Sequence, residues 1–198
     1  YSLLLFRGGS RLSHDRHAKL AAWFGPPAPV SNDGEGNLVS VLHNRDLAGA
    51  MQLPFHCDLT YTDVPIKAIC LQAVELPPTP TSTTFVSNEA AWQRLPEDLQ
   101  RRCEGLTLRH VLVSQMKDYD WPPFIADHPV RFPHPRNGRP LLLVTEHHAT
   151  RVLELDEAES DVLIAELCAH IYAPEMQYDH VWQLGDVVMW DNLALQHA

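Results

Sequence analysis

His56 and Asp58, in the stretch Phe55-His56-Cys57-Asp58, are an imidazole and a carboxylate two positions apart. Side chains alternate along an extended segment, so both point to one face. A second imidazole, His197, stands at the far end of the chain. Brought beside the pair, it completes a triangle of two histidines and one carboxylate. Such a triangle holds a metal from one side, leaves the other side open, and suits ferrous iron in oxygenases. A His-x-Asp pair alone also arises by chance, so the surroundings of both ends carry the argument.

The segments that must position these residues read mainly as short strands. Tyr1 to Phe6 is an apolar run suited to a buried strand, bounded by Arg7-Gly8-Gly9. Ser13 offers a helix N-cap, with Leu20, Ala21 and Phe24 on one face before Gly25-Pro26-Pro27 stops the helix. Ser31 to Asn37 is a polar loop, and Leu38 to Leu42 reads as a strand. Beyond Asp58, Ile66 to Leu76 and Thr83 to Ser87 are β-compatible, and Pro77-Pro78 separates them. Pro96 suits the first turn of a helix through Leu99 to Cys103, with Glu97 and Asp98 at its positive end.

Leu106 to Val113 alternates as a strand does, while Lys117 to Asn137, rich in proline and aromatics, is expected to be a long loop. Leu141–Val144 and Arg151–Leu155 read as strands around Glu146-His147-His148. Leu163, Leu167 and Ile171 recur at helical spacing within Ser160 to Tyr172, and Tyr178 to Trp190 gives two strands around Gly185-Asp186. Many short strands with few helices imply a mainly β fold with flanking helices, a double-sheet jelly roll.

A length of 198 residues fits one domain with room for insertions, and 45% hydrophobic residues can build its core. The net charge of -10, with no basic patch, speaks against nucleic acid as a partner. No apolar run approaches the roughly 20 residues that span a bilayer. Cys57, Cys70, Cys103 and Cys168 are widely spaced without a C-x-x-C pair, which reads as a reduced, cytoplasmic chain. The chain starts at Tyr1 without methionine and stops one residue after His197, so residues 1–198 read as a single domain truncated at both ends.

Phe55-His56-Cys57-Asp58, Pro77-Pro78 leading into Thr81-Ser82-Thr83-Thr84-Phe85, and Gly185-Asp186-Val187-Val188-Met189-Trp190-Asp191-Asn192 with His197 follow one another in that order. This pattern resembles the taurine/2,4-dichlorophenoxyacetate dioxygenase (TauD/TfdA) family of iron(II)- and 2-oxoglutarate-dependent oxygenases, over nearly the whole chain. The resemblance implies a double-stranded β-helix, cupin-like in architecture. It implies iron(II) held by His56, Asp58 and His197, with 2-oxoglutarate and dioxygen as cosubstrates. The implied reaction is oxidative decarboxylation of 2-oxoglutarate to succinate and carbon dioxide, coupled to oxidation of a C–H bond in a small-molecule substrate. Related halogenating enzymes carry a small residue in place of Asp58, so the carboxylate implies hydroxylation; desaturation and ring closure stay open.

Thr84 matches the family threonine that binds the distal carboxylate of 2-oxoglutarate. Relatives usually carry Gly-Gly-Asp before it, where this chain has Thr81-Ser82-Thr83. The arginine that pairs with the same carboxylate normally lies a short way past the second histidine, and so beyond Ala198. Leu59 and Tyr61 follow the metal ligand Asp58 and could face the cavity, Gln52 lies where relatives place a polar substrate contact, and His148 sits where they put a residue over the substrate and with His147 could bind an anionic group. Lys117 to Asp127 is a candidate lid with Tyr119, Trp121 and Phe124 as aromatic walls. Trp190 reads as core packing, and Asn192 as a bond to nearby backbone or a turn. No catalytic group beyond the metal ligands is implied, and relatives often form homo-oligomers. Two alternatives keep the same residues: a cupin-like metalloprotein that does not use 2-oxoglutarate, and a non-catalytic relative that binds a ligand or partner.

Overall fold

A computed structural model describes residues 2–26, 39–42, 53–112 and 124–198. In chain order the elements are β1 (Leu3–Phe6), α1 (His14–Ala21), a 3-10 turn (Ala22–Phe24), β2 (Ala68–Gln72), β3 (Ser82–Ser87), α2 (Asn88–Arg94), α3 (Glu97–Cys103) and β4 (Thr107–Leu112). There follow β5 (Phe124–Pro129), β6 (Arg131–Pro133), β7 (Pro140–Leu142), β8 (Ala149–Val152), α4 (Glu157–Ile171), β9 (Gln177–Val181), β10 (Val187–Asp191) and β11 (Leu195–His197). Strands dominate and helices are few. Among the described residues no helix is long and apolar enough to cross a membrane.

The chain forms two compact units. The first comprises Tyr1–Leu53, Ile66–Thr83 and Asp179–Asn192. Its sheet runs β1-β10-β2, antiparallel throughout, with Leu3 opposite Trp190 and Asp191 opposite Ala68. The continuous apolar run Val187-Val188-Met189-Trp190 makes β10 the central strand, buried on both faces. β1 is instead an edge strand, and Leu4, Leu5 and Phe6 are exposed, which corrects the expectation of a buried strand. Gly185 starts the turn into β10 at φ +86°, and a Cβ there would meet the Gly9 carbonyl oxygen at 2.8 Å. Asp186 next to it is fully buried and takes both Arg7 Nε and Nη2, at 2.9 and 2.8 Å, and the Gln183 amide at 2.9 Å. Residues 39–42 form no strand; Leu42 is exposed and has no partner strand among the described residues.

The second unit comprises Pro54–Pro65, Thr84–Tyr178 and Leu193–Ala198. Its three-stranded sheet is ordered β5-β4-β8, beside the hairpin-like pair β6-β7. β5 and β6 lie inside the stretch expected to be a loop. Their prolines sit at strand ends on edge strands, where a missing N–H costs nothing. The alternation of β5 is nonetheless clear in its burial, with Ala126 and His128 inward. α2 was not expected either: Ser87 caps it by accepting from the Ala90 N–H, and Pro96 forces Leu95 out of the helix. Pro96 is itself the N-cap of α3, not its first turn.

β8 lies two residues before its expected position, because residues 153–155 already turn towards α4. Asp156 caps α4 by accepting from the Glu159 N–H at 2.9 Å. Leu163, Leu167 and Ile171, one helical turn apart, bury completely against Leu99, Leu108 and Val152 in the core. Each such side chain contributes about 1.5–3 kcal/mol.

Candidate metal centre

His56 and His197 come from opposite ends of the second unit and meet edge to edge. They form an antiparallel bridge, with His56 N donating to His197 O at 3.0 Å and His197 N to His56 O at 2.9 Å. β11 in turn pairs with β3, placing His197 opposite Phe85. The alternation over 56–58 holds: Cys57 is completely buried on the far side, while His56 and Asp58 share the near one. Among the described residues, His56, Asp58 and His197 each offer a ligand atom within 4.8 Å of the others.

Hydrogen bonding selects which atoms face inward. His56 Nδ1–H donates to the Pro54 carbonyl at 2.9 Å, which leaves Nε2 as the bare nitrogen. That nitrogen lies 3.2 Å from Asp58 Oδ1. Two acceptors at this separation repel unless a positive charge lies between them, which a proton or a metal ion can supply. Burial opposes charge on His56, yet the bond to Asp58 and its negative charge prevail, and the pKa is raised. Burial likewise pushes Asp58 up, but His56 and His197 hold its pKa below the usual carboxylate value. His197 is pushed down to about 4 by burial and then by His56, so its ring is neutral near pH 7. Neutral imidazole and ionised carboxylate are the forms that ligate a divalent cation, and the donor set fits one.

Behind the ligands runs a polar network that sequence reading missed. Gln196, completely buried, donates to Asn88 Oδ1 at 2.7 Å and to the Val144 carbonyl at 2.8 Å. Its own oxygen accepts from the Tyr172 hydroxyl at 2.6 Å. Asn88 donates to the Leu193 carbonyl at 2.8 Å and to Cys57 Sγ at 3.6 Å. Tyr172 stacks on Phe55 with centroids 4.5 Å apart. The network thus grips the residues that flank His56 and His197 in sequence. Only the alternation of Cys57 and Gln196 against their histidine neighbours hinted at it.

The other expected site residues fall as follows. Thr84 pairs through its backbone with Ala198, N to O at 3.0 Å in both directions. Directly opposed residues share a face, so Phe85 lies on the side of His197 and Thr84 on the side of Gln196 and Val86. Leu59 follows Asp58 with φ +59°, the single positive value at a non-glycine among the described residues. Tyr61 has its ring 5.0 Å from His148 and 6.1 Å from Phe124. His148 is 3% exposed, its ring 6.0 Å from His56 and 4.4 Å from His147. Burial, and then His147 and His56, push its pKa down to about 3. Gln52, Tyr119 and Trp121 lie outside the described residues. Within the first unit, Trp190 is 2% exposed and Asn192 donates to the Ile66 carbonyl at 2.9 Å.

The family model "Taurine catabolism dioxygenase TauD, TfdA family" matches residues 1–198. The chain belongs to the TauD/TfdA family. It is similar to the alpha-ketoglutarate-dependent 2,4-dichlorophenoxyacetate dioxygenase of Cupriavidus pinatubonensis, 33% identical over 99% of this chain and 78% of the relative. It is also similar to the (S)-phenoxypropionate/alpha-ketoglutarate-dioxygenase of Sphingobium herbicidovorans, 32% identical over 100% of this chain and 76% of the relative. Among solved structures, a taurine dioxygenase from Burkholderia xenovorans superposes with a TM-score of 0.82 at 25% identity, covering 100% of this chain and 68% of that one. The fold is accordingly the double-stranded β-helix of TauD-type dioxygenases, and the chain is an α-ketoglutarate-dependent dioxygenase.

Proposed function

We propose that this TauD/TfdA dioxygenase hydroxylates a C–H bond of a small organic anion, at an iron(II) centre formed by His56, Asp58 and His197. The observation that carries the centre is the convergence of three ligand atoms within 4.8 Å, with Asp58 held ionised and His197 neutral as a divalent cation needs. The bound iron would supply activation of dioxygen, linked to conversion of 2-oxoglutarate to succinate and carbon dioxide. The chain's own residues hold the geometry. The Pro54 carbonyl fixes the tautomer of His56, and the backbone bridge fixes the spacing of the two imidazoles. By its place in the family pattern Thr84 is assigned to the distal carboxylate of 2-oxoglutarate; its backbone pairs with Ala198 and its side chain leaves β3 on the face opposite His197, so this assignment has the least geometric support of the set.

The substrate class rests on the relatives and on the histidines. 2,4-dichlorophenoxyacetate, phenoxypropionate and taurine, named for the relatives, all carry an anionic head group. His147 and His148 stand beside His56 as candidate donors to such a group, and Tyr61, Leu59 and the undescribed Gln52 as neighbours of the substrate. A cytoplasmic setting and a homo-oligomeric state belong to the same proposal. The test is 2-oxoglutarate-dependent succinate release across a panel of carboxylates, sulfonates and sulfate esters. Stimulation by at least one anion, lost in Asp58→Ala, supports the reading. Stimulation only by uncharged substrates would overturn the substrate class.

A further inference from the structure

The turn that carries Asp58 is strained and clamped. Leu59 takes φ +59°, a conformation that L side chains adopt rarely. Such a conformation persists only where the surroundings enforce it. Within the turn, Thr62 N and Thr62 Oγ1 both donate to the Leu59 carbonyl, at 3.0 and 2.7 Å. The external hold comes from His128 on β5, 5% exposed. Its Nε2 lies 2.9 Å from the Thr60 carbonyl and 3.1 Å from the Thr62 carbonyl. Both partners are acceptors, so Nε2 carries the proton and donates to the two together.

Thr60 is held a second time. Its hydroxyl, completely buried, lies 3.2 Å from the Cys57 carbonyl and 3.2 Å from His148 Nδ1. One sheet aims both histidines. His128 sits opposite Leu108 of β4, and β4 also bonds the backbone of His148 through Val111 N at 2.9 Å. From this geometry we infer that His128 is a positioning residue of the metal centre: it holds the strained turn whose first residue presents Asp58. The inference rests on the reading of His56, Asp58 and His197 as metal ligands. It assigns His128 no contact with metal, cosubstrate or substrate.

The test uses anaerobic titration with Co(II), followed by its visible absorption, so that no turnover is needed. His128→Gln places an amide N–H near the position of Nε2, whereas the amide of His128→Asn is too short to reach both carbonyls. The expected Co(II) Kd rises about 10–100-fold in His128→Asn, as for other residues that orient ligands. It stays within a few-fold of wild type in His128→Gln. Adding Leu59→Gly to His128→Asn should recover part of the loss, because glycine accepts positive φ without strain. A merely structural role would lower the thermal midpoint of the metal-free protein without this Gln/Asn split. Wild-type Co(II) affinity in His128→Asn, or equal losses in both variants, overturns the clamp while leaving the triad standing. Failure of the wild type to bind Co(II) overturns the triad, and the clamp with it.

Discussion

Two carboxylates of this chain follow opposite designs. Asp186 is completely buried and receives a bidentate guanidinium, a backbone amide and the approach of His180 Nε2 at 3.3 Å. Its partners match its charge and its lone pairs, so nothing is left for chemistry. Asp58 keeps 39% of its side chain accessible, and its charged neighbours are imidazoles, of which His197 is held neutral. A carboxylate held by a guanidinium serves the fold, whereas one set beside two imidazoles suits a cation. Both belong to sequence motifs of the family pattern, so the motif alone does not separate the two roles.

The contrast breaks most sharply at Asp58. Asp58→Ala should abolish metal-dependent succinate release, since the bound metal supplies the chemistry, while leaving the chemical denaturation midpoint near wild type. Asp186→Asn should do the reverse. Replacing a buried carboxylate in charge-assisted bonds costs about 1.5–3 kcal/mol per bond lost, read as a lowered denaturation midpoint with metal affinity retained. Equal effects of both substitutions on metal affinity would erase the distinction.

The pH dependence sharpens it further. The hydrogen bond from Arg7 is the first cause holding Asp186 below its usual pKa. A folded pKa below the unfolded value gives stability that is present above the unfolded pKa of about 4 and is lost as pH falls through the folded one. Denaturation midpoints of the wild type should therefore fall towards acid more steeply than those of Asp186→Asn. A parallel decline in the two proteins would show that Asp186 does not carry this linkage.

Gln196→Leu tests the rear of the metal-facing strands. It leaves Asn88 Oδ1 without its Gln196 donor and takes from the Tyr172 hydroxyl its shortest bond, at a cost of about 1–3 kcal/mol in denaturation. Metal affinity should fall with it, since Gln196 adjoins His197 in β11. The smallest effect is expected at Thr84, which lies on the Gln196 side of β3. Thr84→Val should raise the KM for 2-oxoglutarate a few-fold with little change in kcat, measured by succinate release. An unchanged KM would move the contact to another hydroxyl, with Thr83 next along the strand.

How much of this could be read from the chain differs by residue. His56, Asp58 and His197 were legible because metal ligation constrains residue type and strand alternation constrains spacing. The central β10 and the amphipathic α4 were legible because their apolar periods are strong and long. β5 was hidden by prolines that an edge strand tolerates, and α2 by its brevity. The burial of β1 was misread because an apolar run does not say whether a partner strand covers it. His128, Gln196 and Asn88 were illegible in principle: a lone polar residue announces nothing until the fold brings it to a carbonyl or to another side chain.

The central claim is that Asp58, not Asp186, completes a centre shared by iron and 2-oxoglutarate. Anaerobic titration of the whole protein with ferrous iron and 2-oxoglutarate tests it most directly, through the weak visible charge-transfer band of the chelate. The account expects the band in the wild type and in Asp186→Asn, and its loss in His197→Ala and Asp58→Ala. Iron binding without the band in the wild type, or a band that survives the loss of His197, would contradict it.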